Sequence, residues 1–476
     1  MTISSLFSKQ SYASIIDGDE CRREGNAVQL ISPTTSRPWK ELHAADPELV
    51  NRAIESANQA SRPWRFVPAP TRARLLRQIA RLMEEHKDAL ALVMTMEMGK
   101  TLKEGRAEVE YAAGYFEWFA GEAERIYGST IPSPSPTKRL MLIKEPVGVC
   151  ALITPWNFPL AMPARKLAAA LAAGCAVVIK PSPLTPISAI LLGHLCLHAG
   201  VPPGVVNVVY GEDEVVGPIL TASPLIRKLS FTGSVAVGKK LYAECANTLK
   251  KITLELGGHA PLIVCNDADL ERAVDGALSG KLRNCGQACI SPNRLLVQSE
   301  IYPKFVQAFS EKLLNLRVGD PLDPATEVSN VLHIASRTKV EQHVKDAVSK
   351  GAILHSAGDE PYYPKILENV TPLMDVFREE TFGPVASITR FENFSEAIEL
   401  ANNTEYGLAS YIFSESLPVA HGIAEALEFG IVGVNDALPS SPQASFGGVK
   451  NSGFGREGGP SGITEYLVEK YVSMAF

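Results

Sequence analysis

The 476 residues lack any long apolar stretch: the longest uninterrupted one, 167–179, spans 13 residues and contains a glycine. A membrane-spanning helix needs about 20 such residues, so a bilayer span is excluded. Basic excess is missing too, since 46 Lys and Arg against 52 Asp and Glu leave a net charge of −6. Nucleic-acid binders need a concentrated positive surface to neutralise phosphates, and that class is disfavoured. The eight cysteines form no CxxC pair and are too sparse for a secreted disulfide scaffold, which points to a reducing compartment. No HExxH occurs, and the HxxxH pair His194 and His198 lacks a neighbouring carboxylate, so two helix-surface histidines are expected and not a zinc site. The first twenty residues carry one lysine and early acids, unlike a signal peptide. Internal repeats and low-complexity linkers are likewise missing. These exclusions leave a cytoplasmic globular protein, and a single core stops growing at roughly 250–300 residues, so two large domains are expected.

Along the chain, 71–126 is charge-rich with Leu75, Leu76, Ile79, Leu82 and Met83 at helical spacing, an amphipathic helical region. The run GSTIPSPSP at 128–136 breaks it, and LMLIK at 140–144 reads as an extended excursion. From 147 onward the rhythm changes: strands over 147–154, 176–180, 205–210 and 228–231 alternate with helices over 162–173 and 186–199. Such alternation specifies βαβ units and a parallel sheet, whose ligands sit at the carboxyl ends of the strands. A second alternating stretch runs from 261 to about 434. The last segment, EYLVEKYVSM at 465–474, alternates like an exposed strand in need of a partner, and an oligomer contact is one way to supply it.

The strand-end turns hold the chemistry-bearing residues. Asn157 lies in PWNFP, between two stiffening prolines; its amide either caps the following helix or serves as a rigid oxyanion donor. Lys180 ends the strand AVVIK, as a solvated terminus or a ligand for ribose or phosphate. FTGSVAVG at 231–238 is a glycine-containing turn into a helix, where N–H groups and the helix dipole meet a pyrophosphate, although it is not GxGxxG. Glu255 opens ELGG, and a carboxylate among apolar neighbours has a raised pKa suited to a general base. Cys289 ends GQAC; taken alone, a cysteine is more often inert core than nucleophile.

The ordered set PWNFP, FTGSxxxG, ELGG, GQAC, EETFGP at 379–384 and FGGVKNSG at 446–453 resembles the aldehyde dehydrogenase superfamily from about residue 30 to the C-terminus. The resemblance implies an α/β fold with a Rossmann-like cofactor domain (1–126 and 146–256), an α/β catalytic domain (257–446) and a small bridging β-element for oligomerisation (127–145 and 464–476). It implies a homodimer or homotetramer that needs no metal. Cys289 becomes the nucleophile, Asn157 with the Cys289 N–H the oxyanion hole, and Glu255 the base that hydrolyses a thioester. Trp156, Lys180 and Ser182 fall near the adenosine ribose, Gly233 and Ser234 near the pyrophosphate, and Glu380 and Phe382 around the nicotinamide ribose.

Two departures refine this. NAD-preferring relatives often carry a Glu three residues after the counterpart of Lys180, where this chain has Pro183, so with no carboxylate expected there NADP is accepted alongside NAD. Cys285, four residues before the nucleophile, is read as structural. Arg165, Arg283 and Ser440 look like the carboxylate-binding set of succinate-semialdehyde dehydrogenases, with a structural helix arginine as the alternative for Arg165. ELGGHAP and GQACISP are also similar to 2-oxoglutarate-semialdehyde dehydrogenases. A short ω-oxo acid is the expected substrate; a broad-specificity aldehyde dehydrogenase and a non-catalytic homologue are the alternatives.

Overall fold

The computed structural model describes residues 3–23 and 27–476. Three sheets, beside a two-stranded pair of Val318–Gly319 and Val328–Ser329, organise the described residues. In the first, five parallel strands lie in the order Lys251–Glu255, Ile226–Thr232, Val149–Ile153, Val177–Lys180 and Val206–Val208. Most of their buried residues are apolar, as a sheet covered on both faces requires, with Lys228, Ser230, Thr253 and Asn207 buried among them. Chain order reverses between Val149–Ile153 and Ile226–Thr232, so the loops after these two strands diverge and leave a crevice at their carboxyl ends.

One edge of this sheet is extended by Ser11–Ile16, Arg37–His43 and Ala27–Ser32. These short strands, with charges and a proline in their pattern, had no signal in the apolar periodicity. The helical region resolves into three helices, Ala69–Glu85, Lys87–Met98 and Leu102–Ala123. The last begins with a reciprocal cap between Thr101 and Glu104. Two buried carboxylates cap helices from outside: Glu97 accepts from the N–H groups of Ile187 (2.9 Å) and Ser188 (3.1 Å), and Glu108 from those of Leu160 and Ala161 (both 3.0 Å). Negative charge at a helix N-terminus is favoured by the dipole, and this pins helices Ile187–His198 and Ala161–Ala173 to the neighbouring bundle.

The second sheet runs Ile353–Ser356, Lys365–Glu368, Val385–Phe391, Pro292–Gln298, Ala260–Val264, Ala409–Phe413 and Ile431–Val434, all parallel but for the first. Strand Lys251–Glu255 of the first sheet continues into Ala260–Val264 of the second through only four residues. The return trip is made by Gly453–Phe454, which pairs with Lys251–Glu255. The third sheet joins Leu467–Ala475, Lys138–Pro146 and Ser129–Ile131, all antiparallel, so the two extended segments seen in the sequence pair with each other. Among the described residues, no helix is long and apolar enough to cross a membrane.

Candidate active site

A cavity of about 390 Å³ opens at the crevice of the first sheet and reaches the second. Pro155, Trp156, Thr232, Gly233 and Ser234 line it from the carboxyl ends of first-sheet strands. Gly257, Cys289, Glu380 and Phe382 line it from segments that precede second-sheet strands. The rule that ligands meet strand carboxyl ends therefore holds for one sheet and is inverted for the other.

The loop that leads to Cys289 is shaped by backbone that glycine and asparagine tolerate. Asn284, Cys285 and Gly286 follow one another at φ of +54°, +55° and +73°, a left-handed turn that L side chains rarely adopt. A Cβ at Gly286 would collide with the carbonyl oxygen of Gly383. The turn is held by the Asn284 N–H donating to Glu104 (2.6 Å) and by the Asn284 amide donating to the Asn157 carbonyl (2.9 Å). The Cys285 thiol is buried against the carbonyls of Ser329 and Tyr362 (both 3.8 Å), and Cys285 does not line the cavity. Cys289 does, and burial pushes its thiol up to about 12, with Arg165 pulling the other way.

Asn157 lines the cavity and caps no helix: its amide donates to the Gln287 carbonyl at 2.9 Å, and its own carbonyl accepts from Lys100 at 3.0 Å. Lys100 is in turn ion-paired with Glu108. The oxyanion candidate is thus clamped on both sides of its peptide.

Glu255 ends its strand 1% exposed but does not line the cavity. Both carboxylate oxygens are buried without a hydrogen-bond partner among the described residues, and a Cβ on Gly447 would stand 2.9 Å from one of them. Burial, then the charge of Glu457, holds its carboxyl well above the usual range, against Arg165, Lys166 and Arg456. Glu457 had no signal in the sequence. It pairs with Arg165 (Nε–Oε2 2.6 Å) and with Lys166, all three buried. Arg165 lines the cavity with its guanidinium 4.2 Å over the Phe446 ring.

Arg283 differs. It is half-buried in the cavity wall, 5.0 Å over Phe158 and 5.7 Å over Tyr111, and forms no ion pair among the described residues. Ser440 lines the same wall, its hydroxyl 2.5 Å from that of Tyr111. Tyr111 is the missed member of this group; its place in an amphipathic helix gave it no distinguishing mark.

Toward the other end, Trp156 stacks on His333 (4.7 Å between centroids) and meets Phe382 edge-on (5.8 Å). Glu380 accepts from the Gly258 N–H at 3.1 Å, and burial raises its carboxyl to about 7. Ser234 caps helix Val235–Cys245, accepting from the Val237 N–H at 3.4 Å. Lys180 and Ser182 do not line the cavity; they stand at the next strand end along the row. The expectation of no carboxylate at this corner is wrong, because Lys180 is ion-paired with Asp213, the first residue of the later helix Asp213–Ala222, which spacing could not place there.

The profile described as "Aldehyde dehydrogenase family" matches residues 21–472. The chain belongs to that family. It is 45% identical over 476 residues to the succinate-semialdehyde dehydrogenase [NADP(+)] of Escherichia coli strain K12, covering 98% of each chain. It is also 45% identical over 477 residues to the glutarate-semialdehyde dehydrogenase of Pseudomonas aeruginosa, covering 98% of each. Among solved structures, the betaine aldehyde dehydrogenase of Staphylococcus aureus in complex with NAD+ superposes with a TM-score of 0.95 at 36% identity, covering 99% of this chain and 97% of that one. The aldehyde dehydrogenase fold expected from the six motifs is the fold observed.

Proposed function

We propose that this aldehyde dehydrogenase oxidises a carboxylated semialdehyde, succinate semialdehyde foremost, to the acid with NADP or NAD. The observation that carries the substrate class is Arg283: a cation in the cavity wall with no acidic partner among the described residues, beside the hydroxyls of Ser440 and Tyr111, suits a substrate carboxylate. Arg165 adds a second positive group whose charge Glu457 already offsets in part. The relatives named for succinate and glutarate semialdehydes support the same class.

The residues fit a dinucleotide. The cavity is continuous from the N-terminus of helix Val235–Cys245, which suits a pyrophosphate, past the ring faces of Trp156 and Phe382 to Cys289. Gly233, Ser234, Glu380 and Phe382 would hold it there, with Trp156, Lys180 and Ser182 toward the adenosine. When bound, the nicotinamide supplies the hydride acceptor.

The chain's own groups perform the rest. Cys289 Sγ attacks the aldehyde carbon and its proton passes to Glu255, which must first turn into the cavity from its place beside Gly447. The Asn157 amide and the Cys289 N–H stabilise the oxyanion. Oxidation leaves a thioester on Sγ; Glu255 gives the thiol proton up to solvent, then takes a proton from water, which displaces the thiolate and releases the carboxylic acid. Residues 1–126 and 146–256 form the dinucleotide domain in this reading and 257–446 the catalytic domain. Residues 127–145 and 464–476 form the element that bridges copies in a homodimer or homotetramer, and the enzyme works in the cytoplasm.

The test is the rate of reduced dinucleotide formation with NAD and NADP against succinate, glutarate and 2-oxoglutarate semialdehydes, betaine aldehyde and an aliphatic aldehyde. The expected result is the highest kcat/KM with succinate semialdehyde and none with Cys289→Ala. A preference for the uncharged aldehydes would overturn the substrate assignment.

A further inference from the structure

The dinucleotide reading places Lys180 toward the adenosine but leaves its ion-pair partner without a task. Lys180 has a side chain only 2% exposed, yet its ammonium is ion-paired with Asp213, whose side chain is 67% exposed. Asp213 is the first residue of helix Asp213–Ala222, and the exposed Glu212 and Glu214 flank it. Three carboxylates thus stand at a helix N-terminus, where the dipole would otherwise favour an incoming phosphate.

This corner lies on the path of the dinucleotide. Adjacent strands are about 4.8 Å apart, so the end of Val177–Lys180, two places along the sheet, is about 10 Å from that of Ile226–Thr232, where the cavity begins. The two ends are coupled through the loop between them: the Thr154 N–H donates to the Lys180 carbonyl at 3.1 Å, and the Thr185 hydroxyl to the Trp156 carbonyl at 3.3 Å. A dinucleotide with its pyrophosphate on helix Val235–Cys245 and its nicotinamide toward Cys289 extends its adenosine ribose along this row of strand ends.

We propose that Asp213, held on Lys180, accepts a hydrogen bond from the ribose 2′-hydroxyl and repels a 2′-phosphate, so that the protein binds NAD in preference to NADP. The inference rests on the dinucleotide reading above and goes beyond it by naming the residue that discriminates. In dinucleotide folds an acidic side chain bonds the 2′-hydroxyl, whereas a free cation accommodates the 2′-phosphate. Here the cation is already paired. A 2′-phosphate, with a charge of about −1.5 to −2, would have to displace Asp213 from Lys180 and then sit beside Glu212 and Glu214. Ser182 does not decide the choice: its hydroxyl oxygen accepts the Leu184 N–H at 3.3 Å, and its own O–H can donate to a ribose oxygen of either dinucleotide. The ammonium itself is weakened by burial, which pulls it down to about 8 against the fields of Glu212 and Glu214.

The experiment measures dissociation constants of NAD+ and NADP+ on the full chain without aldehyde, by quenching of tryptophan fluorescence, Trp156 being in the cavity wall. AMP and adenosine 2′,5′-bisphosphate serve as probes of the adenosine end alone. Wild-type protein is expected to bind NAD+ about tenfold or more tightly than NADP+, and Asp213→Asn to shift that ratio about tenfold toward NADP+. Asp213→Glu should retain the wild-type ratio, and the AMP-to-bisphosphate ratio should move in parallel with the dinucleotides. Because position 213 is exposed, unfolding midpoints should agree among the variants. A wild-type protein that binds NADP+ as tightly as NAD+, or a ratio unmoved by Asp213→Asn, overturns the proposal. Failure of wild-type protein to bind either dinucleotide overturns it by removing the cofactor reading on which it stands.

Discussion

Replacing Arg283 by alanine separates recognition of the substrate carboxylate from chemistry at Cys289. The guanidinium lies over the rings of Phe158 and Tyr111 and has no ion-pair partner among the described residues, so its charge is available to a ligand. Ring faces hold such a cation by about 0.5–2 kcal/mol without neutralising it. A hydrogen bond between charged groups is worth about 1.5–3 kcal/mol, and about 1.4 kcal/mol is a factor of ten. For succinate semialdehyde, kcat/KM should therefore fall about 10- to 150-fold in Arg283→Ala. An uncharged aldehyde of similar length makes no such bond and should keep its kcat/KM within about twofold, since only apolar wall is lost. Steady-state kinetics on the two aldehydes, at saturating dinucleotide, gives the ratio directly. Equal losses on both would refute the reasoning and make Arg283 a brace of the nucleophile loop. Arg165→Ala cannot make this separation, because it also removes a partner of buried Glu457.

Three other perturbations test the frame of the site. Gly258→Ala would drive a Cβ into the Cys289 carbonyl oxygen; kcat should drop about tenfold or more while far-ultraviolet circular dichroism is unchanged, and an unaltered kcat would show that the loop yields. Glu457→Gln leaves buried Arg165 and Lys166 without their counter-charge, which should cost about 3–5 kcal/mol in urea unfolding; a loss under about 1 kcal/mol would mean that water or Glu255 compensates. Burial raises the pKa of both Cys289 and Glu255 in the free protein, so both are weaker acids there. The reactive forms are the deprotonated ones, so log kcat/KM should climb with pH between about 6 and 9, and a flat profile would remove Glu255 as the group that accepts the thiol proton.

The strands and helices of the first sheet were legible because central parallel strands are apolar runs bounded by turns, as Val149–Ile153 and Val177–Lys180 are. The edge strand Ala27–Ser32 and its neighbour Arg37–His43 were not, since most of their residues are exposed or half-buried and the few buried positions leave no apolar run. Six motifs found most of the cavity wall, because glycines and prolines fix local backbone and so leave local marks. Contacts between distant segments left none. Asp213 reaches Lys180 across a helix and a strand, Glu457 reaches Arg165 from near the C-terminus, and neither has a neighbour in sequence that announces it. The inverted polarity of the second sheet was hidden for the same reason: its loops read alike at either strand end until the two sheets are set side by side.

The four-residue passage from Glu255 to Ala260 has a mechanical consequence. The Leu256 N–H donates to the Ser452 carbonyl (3.0 Å), the Gly257 carbonyl accepts from the Ser452 hydroxyl (2.8 Å), and the Gly258 N–H is taken by Glu380 (3.1 Å). A linker this short and this pinned has no slack to act as a hinge. Relative swinging of the two sheets would shear these bonds before it moved Glu255 away from Cys289. The molecule thus breathes around its reaction centre and not through it. Entry and exit of small molecules fall to side-chain turns and to the loops at the cavity mouth, while the spacing of the Glu255 and Cys289 backbones stays as constant as a strand.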